Sequence, residues 1–241
     1  MEKQYWKSRA FNALVRFLRF VYPHRVIGAD EVEREEGEPL VFVCNHGEIY
    51  GPVATVLFVP FRFHPWSTCE MTDREMMSRY IYENDVKRMK WLPNPVGKWA
   101  VDHVCVPFMM WVKENLGSIP VYHGDTRGLM RTFRETISVM EKGENILLFP
   151  ENSATSETGK FVREGASEFF TGFVTIGMLY HNRTGKCARF VPVYADKKRR
   201  RVCFGKSIVY DPDCRDEKQR LCSHLRGELL RMAQVGDSAA Q

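Results

Sequence analysis

Four stretches of this 241-residue chain place reactive or polar side chains directly after a short apolar run. In chain order they are Cys44-Asn45-His46-Gly47-Glu48, Ile119-Pro120-Val121-Tyr122-His123, Phe149-Pro150-Glu151-Asn152-Ser153 and Val191-Pro192-Val193-Tyr194. The imidazole of His46 is the leading candidate for proton transfer, because a histidine takes and returns a proton near neutral pH. Such a base needs a fixed tautomer. A single histidine after a strand is more often structural than catalytic, so His46 alone carries little weight.

Other chemistries are less well supplied. His46-Gly47-Glu48 is the H-x-E half of a zinc-deaminase site, but Asp213-Cys214-Arg215 lacks the second cysteine of the P-C-x-x-C half. No H-E-x-x-H, Walker A, G-x-G-x-x-G or G-x-S-x-G run occurs. Cys44 shares a strand face with His46, which admits a thiol nucleophile and thioester cleavage. A cysteine ending an apolar strand is usually buried and inert, however. The seven cysteines form no C-x-x-C pair, which fits a reducing compartment better than a disulfide framework. A net charge of +5 permits nucleic acid, an anionic membrane or an acidic cofactor as partner. Basic residues are dispersed apart from Lys197-Lys198-Arg199-Arg200-Arg201, so nucleic-acid binding is poorly supported. That run reads as a solvent-facing hairpin turn, with anionic headgroups or CoA phosphates as alternative contacts.

The elements that must position these residues read as α/β. Apolar runs at 40–44, 117–121, 145–149, 189–193 and 201–204 are candidate strands, and amphipathic helices fall between them. Pro52 suits the first turn of a helix, whose backbone N–H groups would then face the site. Thr72 and Glu75 match a capping box opening a helix that runs to about 90. Residues 99–112 are strongly apolar, but Asp102, His103 and Pro107 exclude a membrane span there, and no run of 18 uncharged apolar residues occurs elsewhere. Residues 5–20 form a basic, aromatic, amphipathic helix of the kind that lies in a membrane interface. The expected organisation is an N-terminal amphipathic, membrane-interfacial helix at 1–28, an acidic linker at 29–39, one α/β domain at 40–234 and a disordered tail at 235–241. A central, mostly parallel or mixed sheet flanked by helices is the expected fold.

Taken together and in order, the four stretches resemble the four blocks of the PlsC-type glycerolipid acyltransferases: N-H-x4-D, G-x-I-x-V-x-R, F-P-E-G-T-R-S and V-P-V. The corresponding residues here are NHGEIYG at 45–51, GSIPVYH at 117–123, FPENSAT at 149–155 and VPV at 191–193, so the likeness covers about residues 40–195. The resemblance implies transfer of a fatty acyl group from acyl-CoA or acyl carrier protein to a hydroxyl of a lysophospholipid, without a covalent enzyme intermediate. It makes His46 the general base. It places Asn45, His123, Phe149, Pro150, Glu151, Asn152 and Ser153 at the substrate. Gly51 stands where the family has its orienting Asp, and Glu48 is the nearest replacement. His123 and Ala154 stand where the family has phosphate-binding arginines, with Arg127, Lys160 and Arg163 as neighbouring cations. No metal or tightly held cofactor is implied. The expected partners are a membrane lipid surface, the lysophospholipid acceptor and, as one donor, acyl carrier protein. The expected location is peripheral, on the cytoplasmic side of a membrane. A competing reading is a degenerate homologue that binds lipid or a partner without transfer, for which Gly51 and Ala154 speak.

Overall fold

The computed structural model describes residues 6–47, 49–71, 73–84, 86–88, 93–122, 126–150 and 171–234. The run Leu40-Val41-Phe42-Val43-Cys44 forms strand β2 (Leu40–Cys44), and all five residues are buried. A strand apolar at every position belongs in a sheet covered on both faces, and that is where β2 lies. Its partners are β5 (Asn145–Leu148) on one side and β6 (Arg189–Asp196) on the other, both parallel to it. Beyond β5 come β3 (Phe63–Thr68) and the edge strand β4 (Ile119–Val121), again parallel. Beyond β6 the direction reverses. β7 (Arg201–Phe204) and β8 (Ile208–Val209) run antiparallel along the two ends of β6, and β1 (Arg25–Ile27) pairs parallel with β7 at the other edge. Among the described residues this gives one mixed eight-stranded sheet, ordered β1-β7-β6-β2-β5-β3-β4, with β8 beside β6.

Alternate residues of β2 feed two cores. Leu40, Phe42 and Cys44 pack with α1 (Arg9–Val21) and α2 (Tyr50–Phe58), while Val41 and Val43 pack with α6 (Thr126–Met140), α7 (Thr175–Thr184) and α8 (Glu217–Gln234). The chain is thus a single-domain α/β protein with helices on both faces of its sheet. Fully buried Phe42 and Phe190 sit on opposite faces, and truncating either to Ala costs about 3–5 kcal/mol. Two buried asparagines tie the sheet at its two edges. At the amino edge, Asn145 accepts from Leu40 N (2.9 Å) and donates to Arg62 O (2.7 Å), bridging β2 and β3. At the carboxyl edge, Asn45 does the same for β2 and β6.

The N-terminal segment is built into this body. Ser8 caps α1 by accepting from Phe11 N, and its own N–H bonds Asn115 Oδ1 at 3.0 Å. Phe11 and Val15 enter the core. Residues 25–27, inside the segment expected to be helical, form β1. The acidic connection 29–39 forms no helix or strand, and Arg189 pairs with Glu33 and Glu38 on it.

Three helices cross the carboxyl edge between β3 and β4: α3 (Arg74–Asn84), α4 (Asn94–Ala100) and α5 (Val106–Leu116). A π-helical turn at Val101–Cys105 joins α4 to α5, and Val106 N reaches back five residues to Val101 O. Asp73 caps α3, accepting from Glu75 N and Met76 N at 2.9 and 3.1 Å. The cap therefore falls one residue after Thr72, which lies outside the described residues. No helix among the described residues is long and apolar enough to cross a membrane.

Candidate active site

His46 stands just past the carboxyl end of β2, between the ends of β5 and β6. Its backbone position is set by Asn45. The Asn45 side chain accepts from Ala195 N at 2.8 Å and donates to Ala195 O at 3.3 Å, which prolongs the β2–β6 ladder by one step. Both polar ends of a buried amide are thereby satisfied, and the residue works as a clamp under His46. The His46 ring is half-buried with Nδ1 enclosed, and it meets the Phe149 ring edge-on at 5.3 Å. The first and third sequence blocks thus come together through an aromatic contact, with Pro150 buried beside it.

Beyond His46 the chain turns at once into α2. Gly47 takes a left-handed φ of +50°. Tyr50 N donates to Gly47 O at 3.2 Å, and Gly51 N donates to His46 O at 3.0 Å. This turn is so tight that a Cβ on Gly51 would stand 2.2 Å from Asn45 O and 2.6 Å from His46 O. The space a side chain would need at 51 is filled by the backbone of the histidine strand itself. The same bonds correct one expectation. The N–H groups of Tyr50, Gly51 and Val53 are spent on Gly47, His46 and Ile49 carbonyls, and Pro52 has none, so the first four positions of α2 offer no donor to a substrate.

Tyr50 anchors the turn from its other side. Its hydroxyl lies 2.5 Å from His24 Nε2 and 3.2 Å from Asp196 O. His24 Nδ1 lies 3.0 Å from Tyr22 O, and the ring stacks on Phe58 at 4.4 Å. Burial holds the His24 pKa below its ordinary value and pushes the Tyr50 phenol well up. The Asp196 carbonyl can only accept, so the single Tyr50 hydroxyl proton goes to it, and the Tyr50 oxygen faces His24 Nε2. Asp196 closes the network. Burial opposes its charge, but bonds from Arg199 N and the side chains of Arg199 (3.1 Å) and Arg201 (3.0 Å) outweigh that and hold its pKa below the ordinary value.

Of the residues expected at the site, Asn45, His46, Phe149 and Pro150 are assembled around the ends of β2 and β5. Arg127 is exposed in the first turn of α6. It follows β4, which is separated from β2 by β5 and β3, a lateral distance of about 14 Å at normal strand spacing. Glu48, His123, Glu151, Asn152 and Ser153 lie outside the described residues, as do Ala154, Lys160 and Arg163. Sequence reasoning missed the Tyr22–His24–Tyr50–Asp196 network. Its only trace was a tyrosine inside the H-x4 spacing. Among the described residues, no group of three His, Cys, Asp or Glu side chains is arranged to hold a metal ion.

No protein-family model and no curated protein sequence matches the chain. Among solved structures, it is similar to PlsC, the 1-acyl-sn-glycerophosphate (LPA) acyltransferase from Thermotoga maritima. The alignment covers 97% of this chain and 80% of that one, with a TM-score of 0.53 and 12% sequence identity. At that identity the likeness is one of fold. A PlsC-like α/β fold therefore carries His46 at the carboxyl edge of its central parallel strands.

Proposed function

We propose that the protein transfers a fatty acyl group from a thioester, acyl-CoA or acyl carrier protein, to a hydroxyl of a lysophospholipid-type acceptor at a membrane surface. The observation that supports this reading most is the clamped placement of His46 between the ends of β5 and β6, on a fold shared with an LPA acyltransferase. Open α/β sheets bind ligands beyond the carboxyl ends of their strands.

In this mechanism neutral His46 takes the acceptor hydroxyl proton at Nε2, the nitrogen away from the enclosed Nδ1. The alkoxide oxygen attacks the thioester carbonyl carbon, forming the new C–O bond. The tetrahedral intermediate collapses with loss of the C–S bond, and the imidazolium returns its proton to the leaving thiolate. Glu48 orients the imidazole in place of the carboxylate that position 51 has no room to carry. Phe149 and Pro150 form the apolar wall beside the base. Glu151, Asn152, Ser153, His123 and Arg127 contribute to the acceptor site, and no metal takes part. The protein works peripherally, on the cytoplasmic side of a membrane.

A second reading is a non-catalytic lipid-binding homologue, favoured by the filled space at Gly51. Product-resolved acyl transfer with Glu48→Gln separates the two. Under the catalytic reading, wild type makes product and Glu48→Gln loses up to about 10⁴-fold, as when the orienting acid is removed from a catalytic triad. Lipid binding with no product from any donor and acceptor pair would favour the binder.

A further inference from the structure

Large apolar side chains left in solvent concentrate at one end of this molecule. In the α4–α5 stretch Val96, Trp99, Val104 and Phe108 are exposed, Trp99 at 58% and Val104 at 57%. Their spacings of three, five and four residues would spread around a regular α-helix. The π turn at 101–105 absorbs the extra residue, so all four stay on one stripe. The buried side obeys the same register, since Gly97, Val101 and Val106 face inward at spacings of four and five. Trp99 is backed by a stacked His103 at 5.1 Å, and Phe108 leans on Trp111, which meets Phe11 of α1.

A second group lies across the sheet on the same end. Phe20 (84% exposed), Val21 and Tyr22 end α1, and Arg25, Val26 and Ile27 are exposed on β1. Arg25 sits opposite Arg201 at the β6–β7 hairpin, and Arg200 packs on the Tyr22 ring at 4.7 Å. Within the hairpin, Asp196 draws Arg199 and Arg201 inward, while Lys197 and Lys198 are exposed. Between the two groups, Ile49 (73% exposed) projects three residues after His46. The strand directions put Ile49, β1 and the hairpin at the carboxyl edge, where β2 and β6 end and β1 begins, and the chain runs to α4 from the carboxyl end of β3.

We infer that the carboxyl edge is a membrane-docking face, with two arms that straddle His46: an apolar stripe on α4–α5 held in line by the π turn, and an aromatic and basic arm made by the α1 end, β1 and the 197–200 hairpin. The occupant is the surface of an anionic bilayer. Exposed Trp and Phe suit its interfacial zone, and Lys197, Lys198, Arg200 and Arg25 complement its charge. The face deepens the acyl-transfer reading, because it lets an acceptor enter the site from the lipid without leaving it, and it stands on surface chemistry alone.

The test is co-sedimentation of the full chain with mixed phosphatidylcholine–phosphatidylglycerol vesicles and with pure phosphatidylcholine vesicles. Lys197→Glu with Lys198→Glu is expected to weaken binding to the mixed vesicles more than tenfold, since each basic residue near an anionic surface is worth about fivefold. Trp99→Ser with Phe108→Ser, both surface changes, is expected to weaken binding to both vesicle types. Lys142→Glu with Lys186→Glu makes the same charge change at the amino edge and is expected to leave binding within about twofold. Equal loss from both charge pairs, or binding unmoved by the edge variants, would overturn the docking face. Transfer between dispersed short-chain substrates, measured alongside, is expected to persist in the edge variants. Vesicle binding without any transfer would instead remove the acyl-transfer reading and leave the docking face standing.

Discussion

At the scale of single residues, Gly51 explains the chain's largest departure from the N-H-x4-D pattern. A Cβ there would collide with two backbone oxygens, and relieving such overpacking costs about 1–3 kcal/mol or more. Gly51→Asp is therefore expected to lower the melting temperature and to give no gain in transfer; a stable variant with raised activity would contradict the geometry. His24 yields a prediction in pH. Its folded pKa lies below the ordinary imidazole value, chiefly through burial, so the unfolded chain binds the extra proton first. The stability His24 contributes is whole above the unfolded pKa and is lost as pH falls below it toward the folded value. His24→Gln should flatten part of the fall in melting temperature between about pH 7.5 and 5.5; an unchanged profile would deny that burial favours the neutral form of His24. His46 and its link to the F-P-E block were legible in the sequence because both follow buried apolar strands. The steric demand at 51 was not, because it depends on how tightly the chain turns after His46, nor were the partners of Tyr50, because His24 and Asp196 lie far away in sequence.

At the scale of elements, runs such as Leu40–Cys44 and Arg201–Phe204 announced themselves by continuous apolarity. β3 did not. Pro65 and polar Ser67 and Thr68 interrupt its pattern, and proline ordinarily argues against an interior strand. β1 was hidden because its three residues are all exposed and pair only at the sheet edge. The π turn was also illegible: the five-residue step shows only when buried Val101 and Val106 are seen sharing a core with Met77. Inserting one alanine after exposed His103 adds a residue that the π turn does not absorb and should turn α4 by about 100° against α5. Far-ultraviolet dichroism should keep its helical signal while the melting temperature drops. An undiminished melting temperature would show that the π turn sets no register.

At the scale of the whole molecule, the order of strands decides what the site can be. β5, β2 and β6 are neighbours and parallel, so three of the four sequence blocks converge on His46, while the second ends on β4, three strands away. Under the proposed transfer, an acceptor that touches both His46 and Arg127 must span that distance. The α/β class and the place of His46 beyond β2 were legible in the sequence, whereas strand order and the reversal at β7 rest on long-range pairing. The most direct measurement gives the purified chain a long-chain acyl-CoA or acyl carrier protein thioester and a panel of lysolipids, with and without acceptor phosphate, and reads products by mass spectrometry. The expected result is a diacyl product that falls by about 10²–10⁴-fold in His46→Ala while vesicle binding is unchanged. Product retained in His46→Ala, or no product from any pair with folded wild type bound to vesicles, would contradict His46 as the base of an acyl transfer.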